Sequence, residues 1–290
     1  MTMLTFEELN SDRLFSPKLW KGFAPPAGGS FPSTLSGNPA IGLFDDFDGF
    51  GFTGAISSTT AWAQSNGITY KAYIDGDAGL NANPGIMSAV PSTTPSVSAN
   101  GPGVIQIQPD DDAYDDVVLG AGESLMMPFN VIPGTAKDLV FETRFKINDI
   151  TASETDFFIG LGGTGAVADT GVLSDTTGTL SSNNFLGFGR WDAETNLRFG
   201  YQRGGVAQGE VDDCHTLVAD TYVKAGFRYN ADSETCGIFV DGVLIDTITS
   251  DETGATPWPT LWMNFITSVK FQATTNHALY IDWWACAQYI

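Results

Sequence analysis

The sequence has an unusually low proportion of charged residues. They make up 16% of the 290 residues, against about 25% in an ordinary globular chain. Glycine, serine, threonine and asparagine supply the missing polarity, which is typical of short strands joined by many turns. The 20 Phe, 8 Tyr and 7 Trp residues exclude an intrinsically disordered chain, because such chains contain few aromatic residues.

Cations are the scarcest charged group. Lysine and arginine number 13 against 34 acidic residues, which gives a net charge of −21. Lys71 is the only basic residue between Gly22 and Ala136. A field of this sign repels phosphate backbones and anionic lipid, so we expect neither a nucleic-acid nor a membrane partner.

Cysteine is also rare, and no Cys-x-x-Cys pair occurs. Cys214, Cys236 and Cys286 are widely spaced, so we expect isolated buried thiols in a chain folded in a reducing compartment. A zinc site would need the two histidines, His215 and His277. Cys214 and His215 are neighbours, and neighbours point to opposite faces of a strand. We therefore expect no metal and no cofactor.

Long apolar runs are missing. No stretch of about 18 apolar residues occurs, so we expect no transmembrane helix. The first residues, Met-Thr-Met-Leu-Thr-Phe-Glu-Glu, lack the basic start and apolar core of a signal peptide. We expect synthesis and folding in a cytoplasm.

Helical periodicity is absent after residue 42, and strand-like alternation takes its place. Within residues 139–147, apolar Leu139, Phe141, Phe145 and Ile147 fall on one face of a strand, and mostly polar residues fall on the other. About a dozen such segments are separated by turns rich in glycine and aspartate. This pattern is typical of a sandwich or jelly roll.

One hairpin can be located from the sequence. Asp241-Gly242 lies between two apolar runs, and this pair readily adopts the positive φ angles of a two-residue turn. We predict an all-β fold, a two-sheet antiparallel jelly-roll sandwich over residues 43–290 with an extended N-terminal arm over residues 1–42. The side chains expected in or bordering its interior are Phe141, Phe145, Phe227, Phe239, Val240, Phe271 and Ile281.

The predicted arm is rich in proline and glycine, yet it carries large apolar side chains that a flexible linker would lack. Two interpretations stay open: the arm lies on a partner, or it folds over its own domain. For the first, Pro17, Pro25 and Pro26 would limit the entropy lost on docking. The candidate partner-binding residues are Phe15, Pro17, Leu19, Trp20 and Phe23.

The last 150 residues resemble the concanavalin A-like lectin and glucanase fold in its laminin-G-like form. The resemblance rests on strand segments and one hairpin rather than on a chemical motif. These segments are Leu139-Val-Phe-Glu-Thr-Arg-Phe145, Phe157-Phe-Ile-Gly-Leu161, Tyr222-Val-Lys-Ala-Gly-Phe-Arg-Tyr229, Phe239-Val-Asp-Gly-Val-Leu244 and Tyr280-Ile-Asp-Trp-Trp284.

Nearly the whole chain also resembles a group of structural proteins of tailed bacteriophages. The segments that carry this are Phe15-Ser-Pro-Lys-Leu-Trp20, Leu43-Phe-Asp-Asp-Phe47 and His215-Thr-Leu-Val-Ala-Asp-Thr-Tyr-Val-Lys-Ala-Gly-Phe227. The resemblance implies a non-enzymatic virion protein that decorates or cements the outer capsid surface. Its expected partners are the major capsid protein and further copies of itself.

The alternative function is a carbohydrate-binding or carbohydrate-cleaving module. Glucanases of the laminarinase type carry Glu-x-Asp-x-x-Glu or Glu-x-Asp-x-Glu on one strand, and a retaining mechanism needs its carboxylates about 5 to 5.5 Å apart. Here Glu210-Val-Asp212 supplies two carboxylates, but Cys214 and His215 stand where the second glutamate belongs. We expect no catalysis there. Trp191, Tyr201 and Trp258 are candidate glycan contacts if they are exposed in loops.

A second similarity is to alginate-lyase-type enzymes, which use a tyrosine as acid and base. Tyr222-Val-Lys-Ala-Gly226 resembles their Tyr-x-Lys-Ala-Gly segment. However, Gln106-Ile-Gln108 stands where Gln-Ile-His is required, and Glu142-Thr-Arg144 lacks a flanking arginine. We expect structural strands here. The acidic runs Asp110–Asp116 and Asp45–Asp48 are expected to form solvated turns rather than calcium loops.

Overall fold

The computed structural model describes 18 separate parts of the chain. They are residues 15–21, 23, 29–35, 38–47, 51–52, 61–65, 67–74, 88–89, 104–107, 116–122, 128–151, 155–168, 171–174, 180–181, 183–206, 208–249, 257–271 and 277–290.

All the regular structure in these residues is β, arranged as two antiparallel sheets of nine strands each. Sheet A contains β1 (Gly29–Leu35), β2 (Asn38–Asp45), β6 (Ser88–Ala89), β7 (Ile105–Ile107), β9 (Leu139–Ile147), β14 (Val223–Asn230), β15 (Thr235–Val240), β16 (Val243–Thr249) and β18 (Leu279–Tyr289). Sheet B contains β3 (Gly51–Phe52), β4 (Ala61–Ser65), β5 (Ile68–Ile74), β8 (Asp116–Ala121), β10 (Thr155–Gly163), β11 (Phe185–Arg190), β12 (Asn196–Gln202), β13 (Gly209–Thr216) and β17 (Met263–Phe271). Within the described residues there is no helix that could cross a membrane.

The strand order shows a jelly roll rather than a simple meander. Sheet A runs β1-β2-β18-β9-β14-β15-β16, and β7 also pairs with the first part of β18. Sheet B runs β13-β12-β11-β10-β17-β8-β5-β4-β3. The central strands of each sheet are therefore distant in sequence, and the predicted two-sheet antiparallel jelly roll is confirmed.

The main core lies between the two sheets and follows the predicted alternation. On β9, Leu139, Phe141, Phe145 and Ile147 are buried in this core. Phe141 stacks on Phe227 of the neighbouring strand, with ring centroids 5.1 Å apart. The alternate residues of β9 face outward, and their surroundings define the candidate site described below.

Most of the predicted interior is confirmed. Phe141, Phe145, Phe227, Val240 and Ile281 are all buried in the main core. Phe239 differs, because its neighbours Ile238 and Val240 face the core and it points to the outer face of sheet A. The side chain of Phe271 lies outside the described part.

The predicted hairpin is confirmed at Asp241-Gly242, which joins β15 to β16. The φ angles of these two residues are 48° and 74°, as a two-residue turn with two left-handed positions requires. All three cysteines are free and buried, as expected.

The predicted boundary at residue 42 lies inside a strand of sheet A. β1 and β2 pair with each other, and β2 pairs with β18 inside sheet A. Residues 29–45 are therefore part of the sandwich, and the boundary falls within β2. The sequence did not indicate these two strands, because Pro32 and Pro39 are typical of turns. In the structure these prolines lie within β1 and β2 near the edge of the sheet, where proline is tolerated.

Candidate functional site

The outer face of sheet A carries a gradient of polarity along β9. Val140 lies in a buried apolar cluster at one end. Glu142 comes next and is buried, followed by the partly exposed Arg144 and Lys146. Val140 and Glu142 lie under the arm. Arg144 lines an open cleft, and Lys146 lies beside that cleft, near the ring of Tyr222.

A row of polar and aromatic side chains crosses the sheet at the open end. Tyr280 of β18 is opposite Gln106 on one side and Lys146 on the other. Lys224 of β14 is opposite Arg144, and Tyr222 immediately precedes β14. Residues directly opposite in adjacent strands share a face, so these side chains gather on one surface.

Cations and tyrosine rings alternate in this cleft, which Arg144 and Tyr222 line, and directly beside it, where Lys146 and Tyr280 lie. The Arg144 guanidinium lies 3.8 Å from the centroid of the Tyr222 ring. The ammonium of Lys146 lies 5.3 Å from the same ring and 4.9 Å from that of Tyr280. These distances are within the range of cation–π attraction, which holds the rings and cations in fixed positions.

Acidic side chains balance the cations of the cleft. Arg144 Nη1 lies 2.5 Å from Asp282 Oδ2, a carboxylate that is almost completely buried. Lys146 Nζ lies 3.5 Å from Asp220 Oδ1, which is exposed. The backbone N–H of Lys224 donates to Asp241 Oδ1 at 3.0 Å. The cleft is therefore polar without a large excess of either charge.

The cleft is large enough for a small polar ligand. Its volume is about 520 Å³, within the range of about 300 to 1,000 Å³ typical of ligand sites. Burial raises the pKa of Tyr280, and the charge of Asp220 raises it further. Its phenol therefore stays protonated at neutral pH and can donate a hydrogen bond. The residues that line the cleft are Arg144, Asp220, Thr221, Tyr222, Lys224 and Asp241.

The structure brings together the three segments that resemble alginate-lyase-type enzymes. Gln106, Arg144 and Tyr222 lie on the same outer face of sheet A, on or beside β7, β9 and β14. Gln108 lies outside the described residues. It occupies the position of the histidine in those enzymes, and glutamine does not titrate and cannot take up a proton.

The arm covers the other end of this face. Leu19, Trp20 and Phe23 are buried with Val140, Trp283, Ala285 and Ala287, and Phe15 packs against the same group. We call this group the arm cluster. Of the five predicted partner-binding residues, only Pro17 is exposed. For residues 15–23, the structure therefore matches the interpretation in which the arm folds over its own domain.

Glu142 fixes the arm in place. The backbone N–H of Ser16 donates to both carboxylate oxygens, at 3.2 and 3.0 Å, and Trp20 Nε1 donates to Oε2 at 2.7 Å. Gly226 provides the space for Leu19, because a Cβ at that position would lie 2.4 Å from Leu19 Cδ2 and 2.6 Å from the Phe141 carbonyl oxygen.

The end of the arm is fixed by a second set of contacts. The Phe23 ring stacks on Tyr289 with centroids 4.5 Å apart. Arg228 Nη1 donates to the Lys21 carbonyl at 2.6 Å. The docking is therefore specified by named contacts along its length rather than by apolar burial alone.

The Glu210-Val-Asp212 pair lies on β13, at the edge of sheet B. Arg198 Nη2 is 2.5 Å from Glu210 Oε2 and 2.6 Å from Asp212 Oδ1. Burial raises the pKa of Glu210, and the charge of Arg198 opposes this shift. One arginine binds both carboxylates, which fits an ion-pair cluster rather than the acid and nucleophile of a retaining glucanase.

The three aromatic residues named as glycan contacts on the condition that they are exposed do not meet that condition. Trp191, Tyr201 and Trp258 are buried, because Tyr201 packs on Trp258 with centroids 4.5 Å apart and Trp191 lies in an apolar cluster on sheet B. The exposed tryptophan of the described residues is Trp262.

In the two acidic runs, residues 48 and 110–115 lie outside the described residues, and two of the described aspartates differ from the prediction of solvated turns. Asp45 and Asp116 are both fully buried. Asp45 Oδ2 accepts from the Tyr70 hydroxyl at 2.5 Å, and Asp116 Oδ1 accepts from the Ser268 hydroxyl at 3.0 Å. In the part of the chain that the structure describes, no three acidic, histidine or cysteine side chains form a possible metal site.

Several cleft residues were missed from the sequence. Tyr280 and Asp282 were noted only as part of a strand, and Lys146, Asp220 and Asp241 were not singled out as site residues. One sequence feature could have indicated a polar site on this face. Glu142, Arg144 and Lys146 occupy alternate positions of an otherwise apolar strand.

No family model matches the sequence, and no curated protein matches it. Solved structures do share its fold. An endo-1,3-beta-glucanase from Streptomyces sioyaensis is 15% identical, with 91% of this chain and 98% of that chain covered and a TM-score of 0.50. Peanut lectin is 16% identical, with 77% and 98% covered and a TM-score of 0.44.

The binding domain of botulinum neurotoxin DC is 12% identical, with a TM-score of 0.45. That match covers 78% of this chain but only 45% of the neurotoxin chain. Identities this low show the fold alone. The chain shares a two-sheet jelly-roll fold with the glucanase.

Proposed function

We propose that this protein is a glycan-binding module that binds sugar in the cleft on the outer face of sheet A. The observation that carries the proposal is the alternation of rings and cations there: Arg144 stacks on Tyr222, and Lys146 lies near both Tyr222 and Tyr280. Convergent polar groups around a preformed concave surface are the usual features of a ligand site.

The chemistry of the cleft suits a sugar. A tyrosine ring offers an apolar face to the C–H groups of a pyranose and a hydroxyl group for hydrogen bonding. Arg144, Lys146 and Lys224 can donate to sugar hydroxyl or carboxylate oxygens. The glucanase that shares the fold acts, by its name, on a β-1,3-glucan, which favours a sugar over other polar ligands.

Binding without cleavage is the better supported activity. The segment Gln106-Ile-Gln108, which resembles that of alginate-lyase-type enzymes, has glutamine where they have the proton-accepting histidine. On sheet B, Arg198 binds both Glu210 and Asp212. Neither surface therefore supplies the free acid and base pair that polysaccharide cleavage needs.

Replacing Tyr222 by alanine should weaken glycan binding about tenfold or more, because it removes the ring under Arg144. The ligand would first be found on a glycan array, and the affinity would then be measured by titration calorimetry. Tyr222→Phe keeps the ring and separates its contribution from that of the hydroxyl.

Trp262→Ala is the matched control, because it removes an exposed aromatic side chain from a loop that leads into sheet B. It should leave the affinity unchanged. The proposal is wrong if the wild-type protein binds no glycan on the array. It is equally wrong if Trp262→Ala abolishes binding while Tyr222→Ala retains it.

The double variant Glu210→Ala/Asp212→Ala should show the same sugar turnover as the wild type, namely none above background. The reason is the arginine that holds both carboxylates. A reducing-end assay on common β-glucans is the measurement. Activity in the wild type that disappears in the double variant would show that this ion-pair cluster is catalytic.

A second candidate is the virion role, with the major capsid protein and further copies of this chain as partners. Its support is the sequence resemblance of the segment Phe15-Ser-Pro-Lys-Leu-Trp20. A glycan-binding module on an outer capsid surface would satisfy both candidates. Micrographs of the source particle with and without this protein are the test.

The docked arm limits that second candidate. A capsid contact through Leu19, Trp20 and Phe23 requires these side chains to leave sheet A first. The apparent affinity would then be reduced by the fraction of molecules in which the arm is released.

A further inference from the structure

β16 is an edge strand with an unusually apolar exposed surface. It forms one end of sheet A, and within the described residues β15 is its only strand neighbour. Val243, Leu244 and Ile245 are 55%, 50% and 44% exposed. Exposed apolar edge strands are places where another chain can add a strand.

β16 is already ordered in the protein without a partner. Its hairpin partner β15 buries Cys236, Ile238 and Val240 in the main core, and the turn at Asp241-Gly242 has the backbone angles that a tight hairpin requires. A docking segment would therefore meet a preformed edge, and the entropy lost on binding would fall mainly on the partner.

The edge strand also carries an acidic side chain. Asp246 lies within β16 itself, and its side chain is exposed. Among the described residues, no cation forms an ion pair with it.

We propose that β16 is a docking edge for an extended segment of a partner protein in which apolar residues alternate with lysine or arginine. The segment would add an antiparallel strand to sheet A. Its apolar side chains would cover Leu244 on the outer face of sheet A, and its cations would face Asp246 on the opposite face. This surface is distinct from the cleft and does not depend on glycan binding.

A second copy of this chain is the weaker occupant. Each copy carries a net charge of −21, so two copies repel each other over long distances. Antiparallel pairing of two β16 strands about their centre would also place Asp246 opposite Asp246, and like charges directly opposite destabilise a strand pair. A basic segment removes both difficulties.

The test uses the full chain and three labelled peptides in fluorescence anisotropy. One peptide alternates valine with lysine, the second replaces lysine with glutamate, and the third carries central prolines that prevent strand pairing. Two protein variants accompany the wild type. Ile245→Lys places a cation in the strand, and Val218→Lys makes the same charge change at an exposed side chain outside it.

We expect the valine–lysine peptide alone to bind the wild type, more weakly as salt rises. Ile245→Lys should weaken it about tenfold or more, and Val218→Lys should have little effect. Equal binding of the glutamate or proline peptide, no binding of any peptide, or full binding to Ile245→Lys would overturn the proposal. A wild-type dimer in sedimentation that Ile245→Lys dissociates would also overturn it, since the occupant would then be a second copy.

Discussion

Replacing Tyr70 by phenylalanine should lower the free energy of unfolding by about 3 kcal/mol, because the change leaves buried polar groups without partners. Tyr70 donates to Asp45 Oδ2 at 2.5 Å and accepts from Trp284 Nε1 at 2.9 Å. All three side chains are fully buried between the sheets. Chemical denaturation followed by tryptophan fluorescence measures the change.

Tyr73→Phe is the matched control, because it removes a hydroxyl from a partly exposed tyrosine on the same strand. It should cost far less than the Tyr70 change. Equal losses in the two variants would mean that the buried contact between Tyr70 and Asp45 contributes nothing specific to stability.

The same contact makes stability depend on alkaline pH. Burial raises the pKa of Tyr70 well above 10, and the charge of Asp45 raises it further. The folded state therefore keeps this proton at pH values where the unfolded chain has lost it. The contribution of this contact to the free energy of unfolding is fully present below a pH of about 10, which is the pKa of tyrosine in the unfolded chain. Above that pH it falls by about 1.4 kcal/mol per pH unit. The difference between the wild type and Tyr70→Phe should shrink accordingly, and titration of the buried cysteines cancels in that difference.

Local signals were sufficient to predict the strands and the hairpin. The alternation on β9 and the Asp241-Gly242 pair depend on residues adjacent in sequence, so the period of two and the turn chemistry could be read directly. The face of each strand that meets the core follows from the same period. Both were confirmed by the structure.

The burial of the polar and aromatic residues could not be predicted from these local signals. Asp45 lies in an acidic run that looks like a solvated turn, yet it is buried because Tyr70, 25 positions away, donates to it. The sequence left open whether Trp191 and Trp258 are exposed, and in the structure long-range contacts bury them. The burial of these side chains depends on which distant segments come into contact. Composition and residue spacing do not indicate those contacts.

In the cleft and the arm, too, local sequence predicted some features, whereas the contacts between distant segments required the fold. Arg144 and Lys146 were correctly placed on the outer face of β9, but their pairing with Asp282 and Asp220 required the strand order of sheet A. The arm residues were predicted to bind a partner, and in the structure they pack on sheet A of their own domain. Their docking surface depends on Gly226 and Glu142, which are more than 100 positions away in sequence.

Replacing Trp20 by alanine should release the arm while the sandwich stays folded. Truncating a buried tryptophan costs about 3 to 5 kcal/mol, and here it also removes the donor to Glu142 Oε2. The loss falls on the arm cluster, which is separated from the main core by sheet A. Limited trypsin digestion is the measurement, because Lys18 and Lys21 lie within the docked segment.

The wild type should resist cleavage after these lysines, and Trp20→Ala should be cut there rapidly with an unchanged near-ultraviolet circular dichroism spectrum. Glu142→Gln is the control, because its amide oxygen can still accept from Trp20 Nε1 and burial disfavours the charged form of Glu142, as its raised pKa indicates. It should keep the arm protected. If Trp20→Ala is as resistant as the wild type, the arm is held by other contacts. If its sandwich unfolds together with the arm, the arm is an inseparable part of the fold, and a partner could not bind the buried anchors without unfolding the domain.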